Sequence, residues 1–231
     1  MSRAAISFAR LALATALLLG CAVASAQGVA RATFVSGALY LQTPKGEVRR
    51  LVEGAQLAVG DQVTTDAGAA ARITFTDGAA FVLRENTRVV IEAYSYTEKQ
   101  PEQDGLLLRL VKGGLRAVTG LVGKRGNADA YRVSTVAGQI GIRGTIFDAL
   151  VCQQDCLGGA DGLYTRAVQD PHTLNNDTGQ TEVPEGASFY VRDRASRPVD
   201  ISDFGGLGLS LPGAAEGRAP DRLPPARPEC F

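Results

Sequence analysis

The chain has no tryptophan and a single histidine, His172, in 231 residues. One imidazole leaves a hydrolase triad with one candidate base, and no G-x-S-x-G elbow accompanies it. His172 stands in Asp170-Pro171-His172-Thr173, a turn-like setting that reads as a solvated loop histidine. A zinc site needs four ligands, and beyond the cysteines only this histidine is on offer among soft or imidazole groups. Net charge is also lacking, with 24 basic residues against 24 acidic ones; that argues against a nucleic-acid binder, which usually shows a basic face. Past the N-terminus no apolar run approaches the ~20 residues of a membrane helix.

What is plentiful is glycine, 27 residues, scattered among valine, isoleucine and threonine. Each glycine in a helix interior costs about 1 kcal/mol relative to alanine, so this composition favours strands and turns. Ala71, Ile73 and Phe75 alternate with Arg72, Thr74 and Thr76, the period of a strand with one buried face. Asp77-Gly78 follows as the strongest hairpin turn, with Phe81 and Leu83 beyond it. A plain two-residue loop would mix polar and apolar residues on each face. Facing Phe75 with Phe81 and Ile73 with Leu83 calls for one more loop residue, with Gly78 left-handed. Val63, Ile73 and Leu83 also recur ten apart, so successive rungs of a coil are an alternative to a hairpin. The expected fold is all-β, with short strands in a β-solenoid-like coil or a twisted β-sandwich. Leu106 to Val111 reads as one strand, Lys112-Gly113-Gly114 as a tight turn, and Leu115 to Leu121 as the next strand.

The ends read differently. Met1 to Arg10 carries Arg3 and Arg10 and no acid, Leu11 to Val23 is apolar, and Ala24-Ser25-Ala26 has the form of a cleavage site. Residues 1–26 are therefore expected to be a signal peptide, with Gln27 opening an exported chain. A second reading stays open: Leu18-Leu19-Gly20-Cys21 resembles a lipobox, which would make Cys21 a lipidated first residue. Without Arg3 and Arg10 the mature chain carries 22 basic residues against 24 acidic ones. From residue 205 to 231, Gly205-Gly206, Pro212, Pro220, Pro224-Pro225 and Pro228 mark a tail expected to be disordered. The body of the fold is expected over residues 33–200.

Export allows disulfides. Cys152-Gln-Gln-Asp-Cys156 closes a short loop and is expected to be bridged, which leaves Cys230 odd. Other candidate chemistry is thin. Gly123-Lys124 does not complete a phosphate loop: Val118 stands where the first glycine belongs and Arg125 where serine or threonine is needed. Asp161-Gly162 and Asp177-Thr178-Gly179 fit turns rather than a calcium loop. Arg109, Lys112 and Arg116 line one expected exposed edge, where charge protects a strand from stray pairing.

Five pieces in order resemble the FecR domain family of bacterial exported and signalling proteins. They are Gly60-Asp61-Gln62-Val63-Thr64-Thr65, Ala71 to Gly78 with Asp77, Leu83-Arg84-Glu85-Asn86-Thr87, Lys112-Gly113-Gly114-Leu115-Arg116, and Val133 to Gly138 running into Ile142-Arg143-Gly144-Thr145. The similarity extends from about Val35 to Val191. It implies an all-β extracytoplasmic domain which, in the regulators of the family, is the periplasmic half of a membrane-spanning anti-sigma protein. This chain has a signal-like start instead, and no tryptophan, so the tryptophan-bearing anti-sigma motifs are absent. The resemblance thus implies a stand-alone exported module. The expectation is a non-enzymatic protein without cofactor or metal that binds another envelope protein or senses a signal in the periplasm or outside the cell. The alternative is a structural envelope scaffold or outer-membrane lipoprotein held by Cys21.

Overall fold

The computed structural model describes residues 28–201, apart from 126, 128, 145, 157 and 158. The expected signal peptide, Cys21, Thr145, the tail and Cys230 lie outside the described residues. Seventeen strands make up the described fold, with a single 3₁₀ turn at Pro101–Gln103. In order they are β1 (Ala30–Ser36), β2 (Leu39–Gln42), β3 (Val48–Arg50), β4 (Gln56–Leu57), β5 (Gln62–Thr65), β6 (Ala70–Phe75), β7 (Ala80–Leu83) and β8 (Arg88–Ser95). Then come β9 (Gly105–Val118), β10 (Tyr131–Thr135), β11 (Gly138–Ile142), β12 (Ile146–Cys152) and β13 (Gly162–Gln169). The last are β14 (His172–Asn176), β15 (Gly179–Val183), β16 (Ser188–Val191) and β17 (Val199–Ile201). No helix among the described residues is long and apolar enough to cross a membrane.

The strands form two open sheets joined through β9. The first runs β4-β1-β6-β7-β9-β12-β13-β16-β17. The second runs β3-β2-β5-β8-β9-β10-β11-β14-β15. Pairing is antiparallel everywhere except between β9 and β10. The chain therefore passes back and forth between two sheets, as a coil would, while its ladders are those of an antiparallel sandwich. One apolar core fills the space between them, drawing Ile73, Phe81, Leu115 and Phe147 from the first sheet and Val63, Ile91, Leu108 and Ile140 from the second. Period-2 burial makes this possible: β6 reads half-buried, buried, half-buried along its length, because alternate side chains point to opposite faces.

The β6–β7 hairpin keeps the expected three-residue loop, Thr76-Asp77-Gly78. The Phe75 amide donates to the Ala79 carbonyl at 2.8 Å, and Gly78 sits at φ +85°. Its register is shifted from the expected one. Ile73 faces Phe81 and Ala71 faces Leu83, because the extra loop residue is Thr76, before Asp77, and not Ala79 after it. Lys112-Gly113-Gly114 is likewise not a turn between two strands. It is a kink within the 14-residue β9. Residues before it pair with β8 and β10 in the second sheet; those after it pair with β7 and β12 in the first.

Candidate functional site

The kink of β9 is where several motif residues meet. Gly113 has φ +77°, and a Cβ there would stand 2.5 Å from Thr87 Cα and 2.6 Å from the Asn86 carbonyl oxygen. Only glycine permits both the left-handed backbone and this approach. Thr87 is fully buried. Its Oγ1 accepts from the Gly114 amide at 2.9 Å, and its own amide donates to Thr65 Oγ1 at 2.9 Å. Asn86, at φ +55°, turns the chain into this clamp.

The remaining motif residues hold other turns. Asp61 accepts from the Ala58 amide at 2.9 Å, and the Gly60 amide donates to the Ile91 carbonyl. Buried Asp77 accepts from the Ala79 and Val122 amides at 3.1 and 3.0 Å, pinning the segment after β9 to the hairpin tip. The Tyr94 hydroxyl closes that corner. It accepts from the Asp77 amide at 2.9 Å, and burial pushes its pKa up to about 12. Gly138 brings β11 close to Asn175, and Gly144 sits left-handed at φ +69° beside exposed Arg143. These residues do not converge on one cleft. They are backbone-shaping positions spread over successive turns.

Cys152 and Cys156 are joined by a disulfide, with Cα atoms 5.5 Å apart. The bridge belongs to a small apolar cluster on the outer face of the first sheet, with Leu150, Tyr164, Tyr190 and Ile201. Two tyrosines tie down the chain that follows the bridge: Tyr164 donates to the Ala160 carbonyl at 3.1 Å and Tyr190 to the Asp161 carbonyl at 2.7 Å.

His172 is not a solvated loop residue. It opens β14 and is 2% exposed, inside the core against Phe147. Thr165 Oγ1 donates to the Asp148 carbonyl at 3.0 Å and lies 3.0 Å from His172 Nε2. With its proton so used, the hydroxyl accepts from Nε2–H, which fixes the tautomer and leaves Nδ1 buried without a partner. Burial lowers the pKa of this imidazole to about 4. The ring is thus neutral and almost wholly buried, at the floor of a cleft on the second sheet.

Arg109, Lys112 and Arg116 do not share an edge either. Arg109 pairs with Glu92 on the second sheet, Lys112 lies 4.0 Å from Asp155, and Arg116 forms a two-pronged bridge to buried Asp148 on the first. The kink separates them, since it carries the two halves of β9 into different sheets. Arg125 is another tethered cation: it donates to Asp104 and to the Thr97 and Glu98 carbonyls, and stacks over Tyr96.

Two clefts open on the outside of the second sheet. One, about 450 Å³, runs beside Glu92, Arg109, Ser134 and Gln139. The other, about 610 Å³, is bordered by Asp129, Arg143, Asp170, Gln180 and Glu182. No group of three or more histidine, cysteine or carboxylate side chains among the described residues is placed to hold a metal ion.

Residues 61–156 match the family model described as FecR protein. That match covers 96 of the 231 residues. The matched residues take in β5 through β12, so they contain β9 and all four strands that pair with it. The FecR match is narrower than the two sheets, which begin at Ala30 and end at Ile201. Among solved structures, two of a putative anti-sigma factor from Parabacteroides distasonis ATCC 8503 are similar to this chain. One is 13% identical with a TM-score of 0.47, the other 11% identical with a TM-score of 0.46. Each alignment covers 61% of this chain and 58% of the other. A structure described as a cell surface anchoring domain is 24% identical over 27% of this chain and 82% of its own, with a TM-score of 0.26. No curated protein matches the sequence.

Proposed function

We propose that this protein is an exported, non-enzymatic FecR-domain module that binds another protein of the bacterial cell envelope and so takes part in sensing or relaying a signal. The observation that carries the reading is the use made of the motif residues. Gly60, Asp61, Asp77, Gly78, Asn86, Thr87, Gly113, Gly138 and Gly144 all shape turns or the β9 kink, and none of them builds a pocket for chemistry. What they maintain is a pair of open sheets with accessible strand edges. Such edges bind extended segments through main-chain hydrogen bonds, without a catalytic site.

Export supports the choice of compartment and rests on the N-terminal sequence, where Arg3, Arg10, the apolar run to Val23 and Ala24-Ser25-Ala26 make a signal peptide. The Cys152–Cys156 bridge fits the oxidising periplasm or exterior. The test is chemical crosslinking in intact envelopes with a tagged full chain, followed by affinity capture. One protein recovered reproducibly over an unrelated exported control is the expected result. Recovery of the same background proteins from both would overturn the reading.

A further inference from the structure

Among the described residues the two open sheets present four terminal strands, and they are not equally guarded. Free edges invite unwanted pairing, so natural sheets blunt them by shortness, bulges, basic or proline residues, and charges on the core-facing side. In the first sheet β4 has only two residues, and β1 beyond it is broken by an irregularity between Ala32 and Phe34. At the other end β17 has three residues. Its central Asp200 lies opposite core-packed Phe189, so a charge stands on the core-facing side. In the second sheet β3 has three residues, two of them Arg49 and Arg50. The opposite end, β15, is the least guarded, its one charge being Glu182 on the outer face. It has five residues, no proline and no basic side chain, and pairs with β14 in unbroken register from Gly179 to Val183.

The side chains of β15 define what could lie beside it. Thr181 and Val183 sit opposite buried Leu174 and His172, on the core side. Gln180 and Glu182 are exposed on the outer face, opposite Asn175 and Thr173, and border the 610 Å³ cleft. That cleft also holds Asp129, Asp170 and Arg143, three carboxylates with Glu182 against one guanidinium. A strand added here would place alternate residues next to Thr181 and Val183 and the others over an acidic trough.

We propose that the free edge of β15 is the docking edge for an extended segment of a second protein, one that alternates β-branched apolar residues with lysine or arginine. The inference rests on the envelope-binding reading above and names the edge and the chemistry of the partner.

The probe is a fluorescent synthetic peptide alternating lysine with valine and threonine, titrated against the full mature chain by anisotropy. Its counterpart has glutamate in place of lysine. The lysine peptide is expected to bind, and the glutamate peptide not to. Glu182→Lys, at an exposed position, should leave the thermal midpoint unchanged while weakening the lysine peptide by about tenfold or more. A photoreactive residue at position 180 should crosslink the peptide, whereas one at exposed Tyr40 on the far side of the second sheet should not. Equal binding of both peptides, an unaffected Glu182→Lys variant, or crosslinking at position 40 alone would overturn the proposal. So would a dimer of the chain crosslinked through position 180, which would make a second copy the occupant. If the envelope partner is captured equally well by wild type and Glu182→Lys, the edge is wrong and the binding reading stands; if no partner is captured at all, the reading itself falls.

Discussion

Lowering the pH should cost this protein stability through one residue. His172 has an imidazole pKa of about 4 in the fold, against 6.5 when exposed. The cause is burial: its Nδ1 lies in the core with no acceptor to receive a proton. Above pH 6.5 the ring is neutral folded and unfolded, and the shift has no effect. As pH falls from 6.5 towards 4 the unfolded chain takes up a proton that the folded chain refuses, so stability drops across that window. The loss is about 1.4 kcal/mol by pH 5.5 and about 2.5 kcal/mol by pH 4.5, approaching ~3.4 kcal/mol below pH 4. Urea unfolding of wild type and His172→Gln at several pH values measures it. Glutamine keeps a donor for Thr165 and does not titrate, and the carboxylates contribute equally to both proteins. The stability difference between the two should therefore change by these amounts. Because the chain has one histidine, its imidazole proton resonance reports the same group directly. A parallel pH dependence in both proteins, or a resonance titrating near pH 6.5, would refute the burial argument.

Glycine substitutions should separate crowding from backbone strain. Gly113→Ala meets Thr87 and Asn86 main-chain atoms at 2.5–2.6 Å and should cost about 3 kcal/mol or more. Gly144→Ala meets nothing nearer than Lys124 Cγ at 3.6 Å and should cost only the strain of a left-handed residue, about 1–2 kcal/mol; Gly144→Val should be worse, and thermal midpoints rank the three. Arg116→Ala leaves Asp148 buried without its guanidinium, a loss of about 3–5 kcal/mol that denaturant titration reads. Mass spectrometry of the mature N-terminus should show Gln27 if ordinary cleavage operates; a diacylated Cys21 would instead identify a lipoprotein.

The all-β character is legible in the sequence because alternation such as Ala71, Ile73 and Phe75 states its period, and Asp77-Gly78 its turn. Register is harder. Placing the extra loop residue at Thr76 or at Ala79 gives equally consistent faces, and only the Phe75–Ala79 hydrogen bond decides. His172 is easily misread because Asp170-Pro171 is a turn, with Asp170 at φ +58°. That turn carries the chain from one sheet straight into the core side of the other. The alternation of buried His172 and Leu174 with half-exposed Thr173 is the available signal. Arg109 and Arg116 look like neighbours because nothing local says that Gly113 sends one strand into two sheets. The edge at β15 is invisible in the sequence, since which strand ends a sheet depends on the whole order of pairing.

The strand order has a mechanical consequence. No strand from β1 to β8 pairs with any from β10 to β17. Each group supplies four strands to each sheet, and every main-chain bond of the ladders joining the groups belongs to β9. The molecule is thus two interlocked halves sewn along one seam. A load pulling the halves apart is borne mainly by the ladders of β9 and by core packing, with the Asp77–Val122 and Ser134–Glu92 bonds adding to them. If the chain were cut between β9 and β10, the later fragment could rejoin the earlier one only by seating β10 and β12 on the two arms of the bent strand together. A partner that tugs on the outer edge at β15 would therefore pull, through the intervening β14, β11 and β10, on the very strand that holds the kink.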